Sequence, residues 1–172
     1  MKKLIILLTA LTIMLVGCGN TNDNTSNSNQ DNSTTTSQVE EVSVDLTSIV
    51  NEITSKVEWA SLSVIDDDQL ISEFFKLDVN NPNYQNILVE QCPMSAVIAE
   101  IILIQANDVN SAMEDLEVRK QKLIDTDAFY PEHKEIAEQS IVGSYGNIAY
   151  FLASDSSAES EKVLKEYLDS LT

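Results

Sequence analysis

Ten consecutive residues, AVIAEIILIQ from Ala96 to Gln105, constrain the fold of this chain more than any other segment. A strand shows alternate side chains to opposite faces, and here both faces are apolar, so the strand must be covered on both sides and lie centrally in its sheet. One side chain conflicts with that burial. Glu100 is a carboxylate in an otherwise apolar run, and a buried carboxylate without a partner is costly. The single arginine of the chain, Arg119, lies in the next helix and is the side chain best suited to a bidentate pair, so a structural Glu100–Arg119 pair is expected.

The neighbouring segments supply the rest of the sheet. Tyr84 to Gln91 reads as a strand joined to the central one through Cys92-Pro93-Met94. Gln139–Gly143 and Asn147–Ala153 form a second hairpin around Ser144-Tyr145-Gly146-Asn147, with Gly146 supplying a positive φ. Leu46, Ile49, Val50, Ile53 and Val57 recur with helical spacing behind Asp45 as N-cap. Asp66 and Gln69 have capping-box spacing ahead of Leu70, Ile71, Phe74 and Phe75. Val109, Ala112, Met113, Leu116 and Leu123 mark a long helix capped by Asp108, and Tyr130-Pro131 opens a short helical segment. Ser156 and Glu159 have capping-box spacing before a last helix with Val163, Leu164, Tyr167, Leu168 and Leu171 on its apolar face. Hairpins in place of βαβ crossovers predict an α+β domain over residues 42–172: one four-stranded antiparallel sheet built from two hairpins, packed with four to five helices.

The N-terminus carries a different message. Met1-Lys2-Lys3 is a short positive region, followed by thirteen largely apolar residues, Leu4 to Val16. That run is too short to span a hydrocarbon core of ~30 Å, which takes ~20 apolar residues, and it has the layout of a cleaved export signal. Leu15-Val16-Gly17-Cys18 resembles the bacterial lipobox, in which the thiol takes a diacylglyceryl thioether and the chain is cut before the cysteine. Residues 1–17 are therefore expected to be a lipoprotein signal peptide, with Cys18 lipidated. Residues 18–41 are expected to be the anchored cysteine and a tether, because Gly19 to Gln38 contains no hydrophobic residue that could offset the entropy of ordering. A flexible coil of that length spans roughly 25 Å.

Charge and reactive inventory narrow the function. Ten Lys and Arg stand against 28 Asp and Glu, a net charge of −18. Loss of residues 1–17 would remove Lys2 and Lys3 and leave 8 basic against 28 acidic side chains, or −20. Such a chain has no basic stripe for nucleic acid, and an anionic bilayer repels it, so lipid alone must hold it at a membrane. With two Cys and one His in the whole chain, a disulfide scaffold and a Cys/His zinc site are both short of ligands. His133, in Pro131-Glu132-His133-Lys134-Glu135, reads as a solvated surface residue. Cys92 reads as a buried small residue or a turn position, and a Cys92–His133 catalytic pair is disfavoured. Asp66-Asp67-Asp68 reads as a helix cap in place of a calcium loop, since the alternating ligands, loop Gly and terminal Glu of an EF-hand are missing. Asp115 is placed for a surface pair with Arg119 one helical turn later. No Gly-x-Ser-x-Gly elbow or phosphate loop is present. Catalytic, cofactor-binding and metal-binding residues are expected to be none.

The run from about Asp66 to Leu168 resembles the domain of unknown function 4358, found in small lipoproteins of Gram-positive bacteria. The resemblance rests on Pro93-Met94, Ala99-Glu100-Ile101, Arg119, Tyr130-Pro131-Glu132 and Gly146-Asn147, with the lipobox and polar tether matching the usual layout. It implies a localisation and a fold but no activity. The expected role is a non-catalytic binding module, lipid-anchored on the outer face of the cytoplasmic membrane, with a protein or cell-wall partner. The alternatives are a solute- or cation-capturing lipoprotein serving a transporter and an envelope enzyme. Recognition is expected on acidic helix faces, such as Glu114 and Glu117, together with any part of the apolar sheet that the helices leave uncovered.

Overall fold

The structure is a computed structural model and describes residues 44–172; the expected segments 1–17 and 18–41, with Cys18, lie outside the described residues. The elements follow as α1 (Leu46–Lys56), β1 (Ser63–Val64), α2 (Asp68–Leu70) running into a π-helical turn (Ile71–Phe75), β2 (Tyr84–Gln91) and β3 (Glu100–Ala106). Then come α3 (Val109–Lys122), a second π-helical turn (Leu123–Asp127), α4 (Pro131–Gln139), β4 (Ile141–Tyr145), β5 (Ile148–Ala153) and α5 (Ser157–Asp169). The class is α+β, with one antiparallel sheet in the order β1-β2-β3-β5-β4.

That sheet has five strands, not four. The additional one is β1, where Ser63 and Val64 pair with Gln91 and Glu90 on the outer edge of β2. Two residues are too short for any alternation of apolar and polar side chains to register in sequence. The central strand also begins later than its composition implies. Ala96–Ala99 do not enter the ladder, and pairing starts at Glu100 opposite Gln91 on one side and Ala153 on the other.

Every residue of β3 and β5 is buried. Alternation divides them between two apolar clusters, one on each face of the sheet. Ile102, Ile104, Ala149 and Phe151 pack with Phe75, Leu77, Ala112, Leu116 and Leu123 from the segments between β1 and β4. Ile101, Leu103, Ile148, Tyr150 and Leu152 pack with Ile49, Val50 and Ile53 of α1 and Val163, Leu164 and Leu168 of α5. The two-sided apolar strand is thus covered on both faces, and no part of β3 or β5 is left as an exposed patch.

Capping explains where the helices start. Asp45 accepts the Thr47 amide and Asp108 accepts the amides of Asn110 and Ser111. In the acidic triplet the cap is Asp67, which accepts from Leu70 N at 2.9 Å, so Asp66 is displaced from that role by one residue. The Ser156–Glu159 capping box does not form. Ser156 Oγ donates to Asp155, and the turn into α5 is held by Ser157, whose Oγ accepts from Ser154 N and bonds the carbonyls of Leu152 and Ser154. The β4–β5 turn reduces to Gly146-Asn147 between the paired Tyr145 and Ile148, with φ +57° at Gly146.

Tyr150 lies directly across the ladder from Gly143, and its ring covers the glycine. A Cβ at position 143 would stand 2.5–2.7 Å from the Tyr150 Oη, Cζ and Cε2 atoms. The Tyr150 hydroxyl donates to Glu161 of α5 at 2.7 Å, which Lys165 also holds. Burial and the neighbouring Glu161 carboxylate push the Tyr150 pKa up to about 12, so the hydroxyl keeps its proton across the physiological range.

Candidate functional site

Antiparallel pairing of Glu100 with Ala153 sets the entry to β3 beside the exit of β5. At that end of the sheet a cleft of about 420 Å³ opens. Its walls are Ala96–Ala99 ahead of β3, Ser154-Asp155-Ser156 after β5, the first turns of α4 with Glu132, His133 and Ile136, and Glu58-Trp59-Ala60 after α1. The volume falls in the range of ~300–1,000 Å³ usual for ligand sites.

Two aromatic rings are fixed in these walls. The Trp59 indole donates from Nε1 to Ser160 Oγ at 2.9 Å, and Ser160 in turn donates to the Ser156 carbonyl. His133 is only 4% exposed, with its Nε2 3.2 Å from the Ala96 carbonyl and the Tyr130 ring edge-on at 5.0 Å. A carbonyl oxygen only accepts, so Nε2 carries the hydrogen, and in the neutral ring Nδ1 is left as an acceptor. Among the described residues Nδ1 has no hydrogen-bond partner, and no buried side-chain nitrogen or oxygen is both sealed and unsatisfied. His133 thus lines the cleft with its ring tied through Nε2 to the β2–β3 connection.

The lining carries three carboxylates, from Glu58, Glu132 and Asp155, and no lysine or arginine. The N-terminal ends of α4 and α5 lie here too and contribute roughly half a positive charge each, which is not enough to reverse the sign. The cleft is an electronegative, acceptor-lined recess.

Next to it, beneath Ala99, lies a buried charge network. Arg119 is fully buried and clasps Glu100 with two parallel bonds, Nε to Oε1 at 2.8 Å and Nη2 to Oε2 at 2.6 Å. Its Nη1 donates to Asp127 at 2.6 Å; Lys122 reaches the same carboxylate at 2.7 Å, and Gln91 completes the shell of Glu100. The Arg119 guanidinium also sits 5.0 Å from the Phe74 and Phe75 ring centroids. The π-helical turn after α3 carries Asp127 into the network. The structure thus brings Glu100 and Arg119 together in a bidentate pair and adds two partners that sequence reasoning missed.

Burial works against ionisation of Asp127, but hydrogen bonds from Lys122, Arg119 and Thr126 outweigh it and hold its pKa below the ordinary 3.8. The unfolded chain then takes up this proton first, so Asp127 contributes stability above about pH 4 that is lost as pH falls through the lower folded value. Asp127→Asn should remove part of the acid-induced loss. Denaturation midpoints measured from pH 6 to pH 2 should fall less steeply in the variant, and parallel curves would contradict the assignment.

Two other expectations, for His133 and Asp115, are revised. His133 is buried in a cleft wall, because the Tyr130-Pro131 start of α4 turns it inward against the β2–β3 connection. Asp115 does not pair with Arg119, which faces the core; it accepts instead from the Tyr84 hydroxyl at 2.7 Å. Cys92 is a free and buried thiol whose amide bonds the Ala99 carbonyl. Glu114 and Glu117 are exposed on α3. Among the described residues, no group of three or more His, Cys, Asp or Glu side chains is placed to hold a metal ion. The cleft residues come from four separate segments, so no local motif announced them. The one usable signal was the single tryptophan, Trp59, next to an acid.

No curated protein and no solved structure matches the chain. A family model, described as domain of unknown function (DUF4358), matches residues 56–154. The matched region runs from the end of α1 through β5, taking in all five strands, the charge network and every segment that lines the cleft except Asp155-Ser156. With more than half of its length covered, the chain belongs to the DUF4358 family.

Proposed function

We propose that this chain is an extracytoplasmic lipoprotein, anchored through a diacylglyceryl group on Cys18, whose globular domain is a non-catalytic binding module. The observation that carries the binding role is the acceptor-lined cleft at the end of the sheet. Its hydroxyls are spent on structure, with Ser154 and Ser156 engaged within their own turn, and the Nε2 hydrogen of His133 goes to a backbone carbonyl. That arrangement suits recognition better than nucleophilic catalysis, which needs a nucleophile in reach of its base.

Support for the anchor comes from the Leu15-Val16-Gly17-Cys18 sequence behind a short apolar run. No helix among the described residues is long and apolar enough to cross a membrane. Two or three acyl chains give stable anchoring where one gives only marginal binding, at ~0.8 kcal/mol per buried CH₂. Mass spectrometry of the protein from membranes should find an acylated N-terminal Cys18, and Cys18→Ala should accumulate an uncleaved, non-acylated precursor. A mature terminus at another residue, or one without lipid, would end this reading. Crosslinking of the anchored protein in cells should capture a protein or wall partner; turnover of an envelope substrate would replace the module with an enzyme.

A further inference from the structure

We infer that residues 58–65, which join α1 to α2 and carry β1, form a strap whose hold on the sheet is released when Glu90 ionises, a regulatory device that stands whatever the cleft binds. Three observations carry it. Glu90 is only 9% exposed and, among the described residues, has neither a hydrogen bond nor an ion pair. Its place in β2, two residues past Leu88 and opposite Ile101, puts its side chain on the sheet face covered by α1 and α5. On the edge side its ladder partner is Val64 of β1, and that strand is weakly attached. Ser63 and Val64 are both exposed, and beyond their pairing the Ile65 amide adds one bond to the Val89 carbonyl at 2.9 Å.

The elements around Glu90 bring it no cation. Ser63 and Val64 on β1 and Ile101 and Leu103 on β3 are uncharged, and alternation sends Glu100, with Arg119, to the opposite face. On α1, Lys56 is spent on Glu52 at 2.6 Å, and Glu58 of the strap is a like charge. On α5, Lys165 and Lys162 are engaged by Glu161 and Glu166. Burial therefore acts alone on the Glu90 carboxyl and pushes its pKa above the ordinary 4.5. The closed strap binds this proton more tightly than the open one. Closure is fully favoured below about pH 4.5 and loses that advantage as pH rises through the higher value of the closed state. Release at β1 leaves Glu58-Trp59-Ala60, one wall of the cleft, held through the Trp59–Ser160 bond, so the wall loosens as Glu90 ionises.

Hydrogen exchange of the full chain, held in neutral detergent micelles, reads the strap at the Ile65 amide. With the intrinsic pH dependence of exchange removed, opening at Ile65 should rise about tenfold between pH 5 and pH 8, and in Glu90→Gln by less than about twofold. Glu90→Leu should keep the strap closed at both ends of that range. At every pH Ile65 should exchange well ahead of Leu103 in β3, because release is local and leaves the central strands paired. The single tryptophan gives a second reading: acrylamide should quench Trp59 emission more at pH 8 than at pH 5 in the parent, and equally at both in Glu90→Gln. A rise at Ile65 that persists in both variants would assign the effect to another group, such as His133 elsewhere in the cleft wall. Ile65 exchanging in step with Leu103 would mean that only unfolding of the whole domain exposes Glu90. Either result overturns the inference, as does an unchanged opening in the parent from pH 5 to pH 8. None of these measurements involves a ligand, so their failure would leave the binding module intact, and loss of a crosslinked partner would leave the strap intact.

Discussion

Replacing Arg119 by methionine should cost about 3–5 kcal/mol of folding stability, the effect expected when one member of a buried ion pair is removed and the other is left uncompensated. Domains of this size are stable by only ~5–15 kcal/mol, so the variant should populate unfolded chain at modest denaturant concentrations. The loss arises chiefly at Glu100, whose carboxylate is almost completely buried and would keep only the Gln91 amide as partner. Arg119→Lys should recover little, because an ammonium cannot reproduce the two parallel bonds to Glu100 together with the bond to Asp127. Glu100→Gln combined with Arg119→Met should be more stable than Arg119→Met alone, since no buried charge is then stranded at position 100. Guanidinium denaturation of the four chains checks all of this. A single Arg119→Met variant within a few tenths of a kcal/mol of the parent would show that the pair contributes nothing.

Gly143→Ala should destabilise the domain by about 1–3 kcal/mol, the usual cost of overpacking a well-filled interior. The strain comes from Tyr150, whose ring occupies the space of the missing Cβ. An exposed tyrosine would simply swing away. This one is buried and tied through its hydroxyl to Glu161, so either the hydrogen bond or the strand pairing must yield. The penalty should largely vanish in a Tyr150→Val background, giving a strongly non-additive double-mutant cycle. Additive effects in thermal or chemical denaturation would mean that Gly143 is needed for some other reason.

Much of the architecture was legible because it depends on local chemistry. The apolar run before Gln105 demanded cover on two faces, and Asp45 and Asp108 announced helix starts by supplying oxygen to free amides. Gly146 marked the only position in its turn that needs a positive φ. The Glu100–Arg119 pair could be anticipated for a different reason. A carboxylate inside a buried strand requires a cation, and the chain has one arginine. What escaped was whatever depends on distant segments meeting. Ala96–Ala99 have the composition of a strand yet leave the ladder to form a cleft wall, and composition does not distinguish these outcomes. His133 stands among charged neighbours in sequence and is buried in space, since α4 shows only one of its faces to water. Ser156 and Glu159 have the spacing of a capping box, but Ser154 and Ser157 supply the competing hydrogen bonds.

The sheet face lined by Leu103 and Tyr150 is covered by α1 and α5, and the bond from Trp59 to Ser160 joins segments 101 residues apart. A chain emerging from a ribosome delivers α1 first and α5 after all five described strands. At ~5–20 residues per second, roughly 5–20 s pass between the two helices. Through that interval the sheet has one apolar face without half of its cover, so the native state stays out of reach until α5 has cleared the exit. The topology therefore acts as a timer that postpones folding until the last helix has been made.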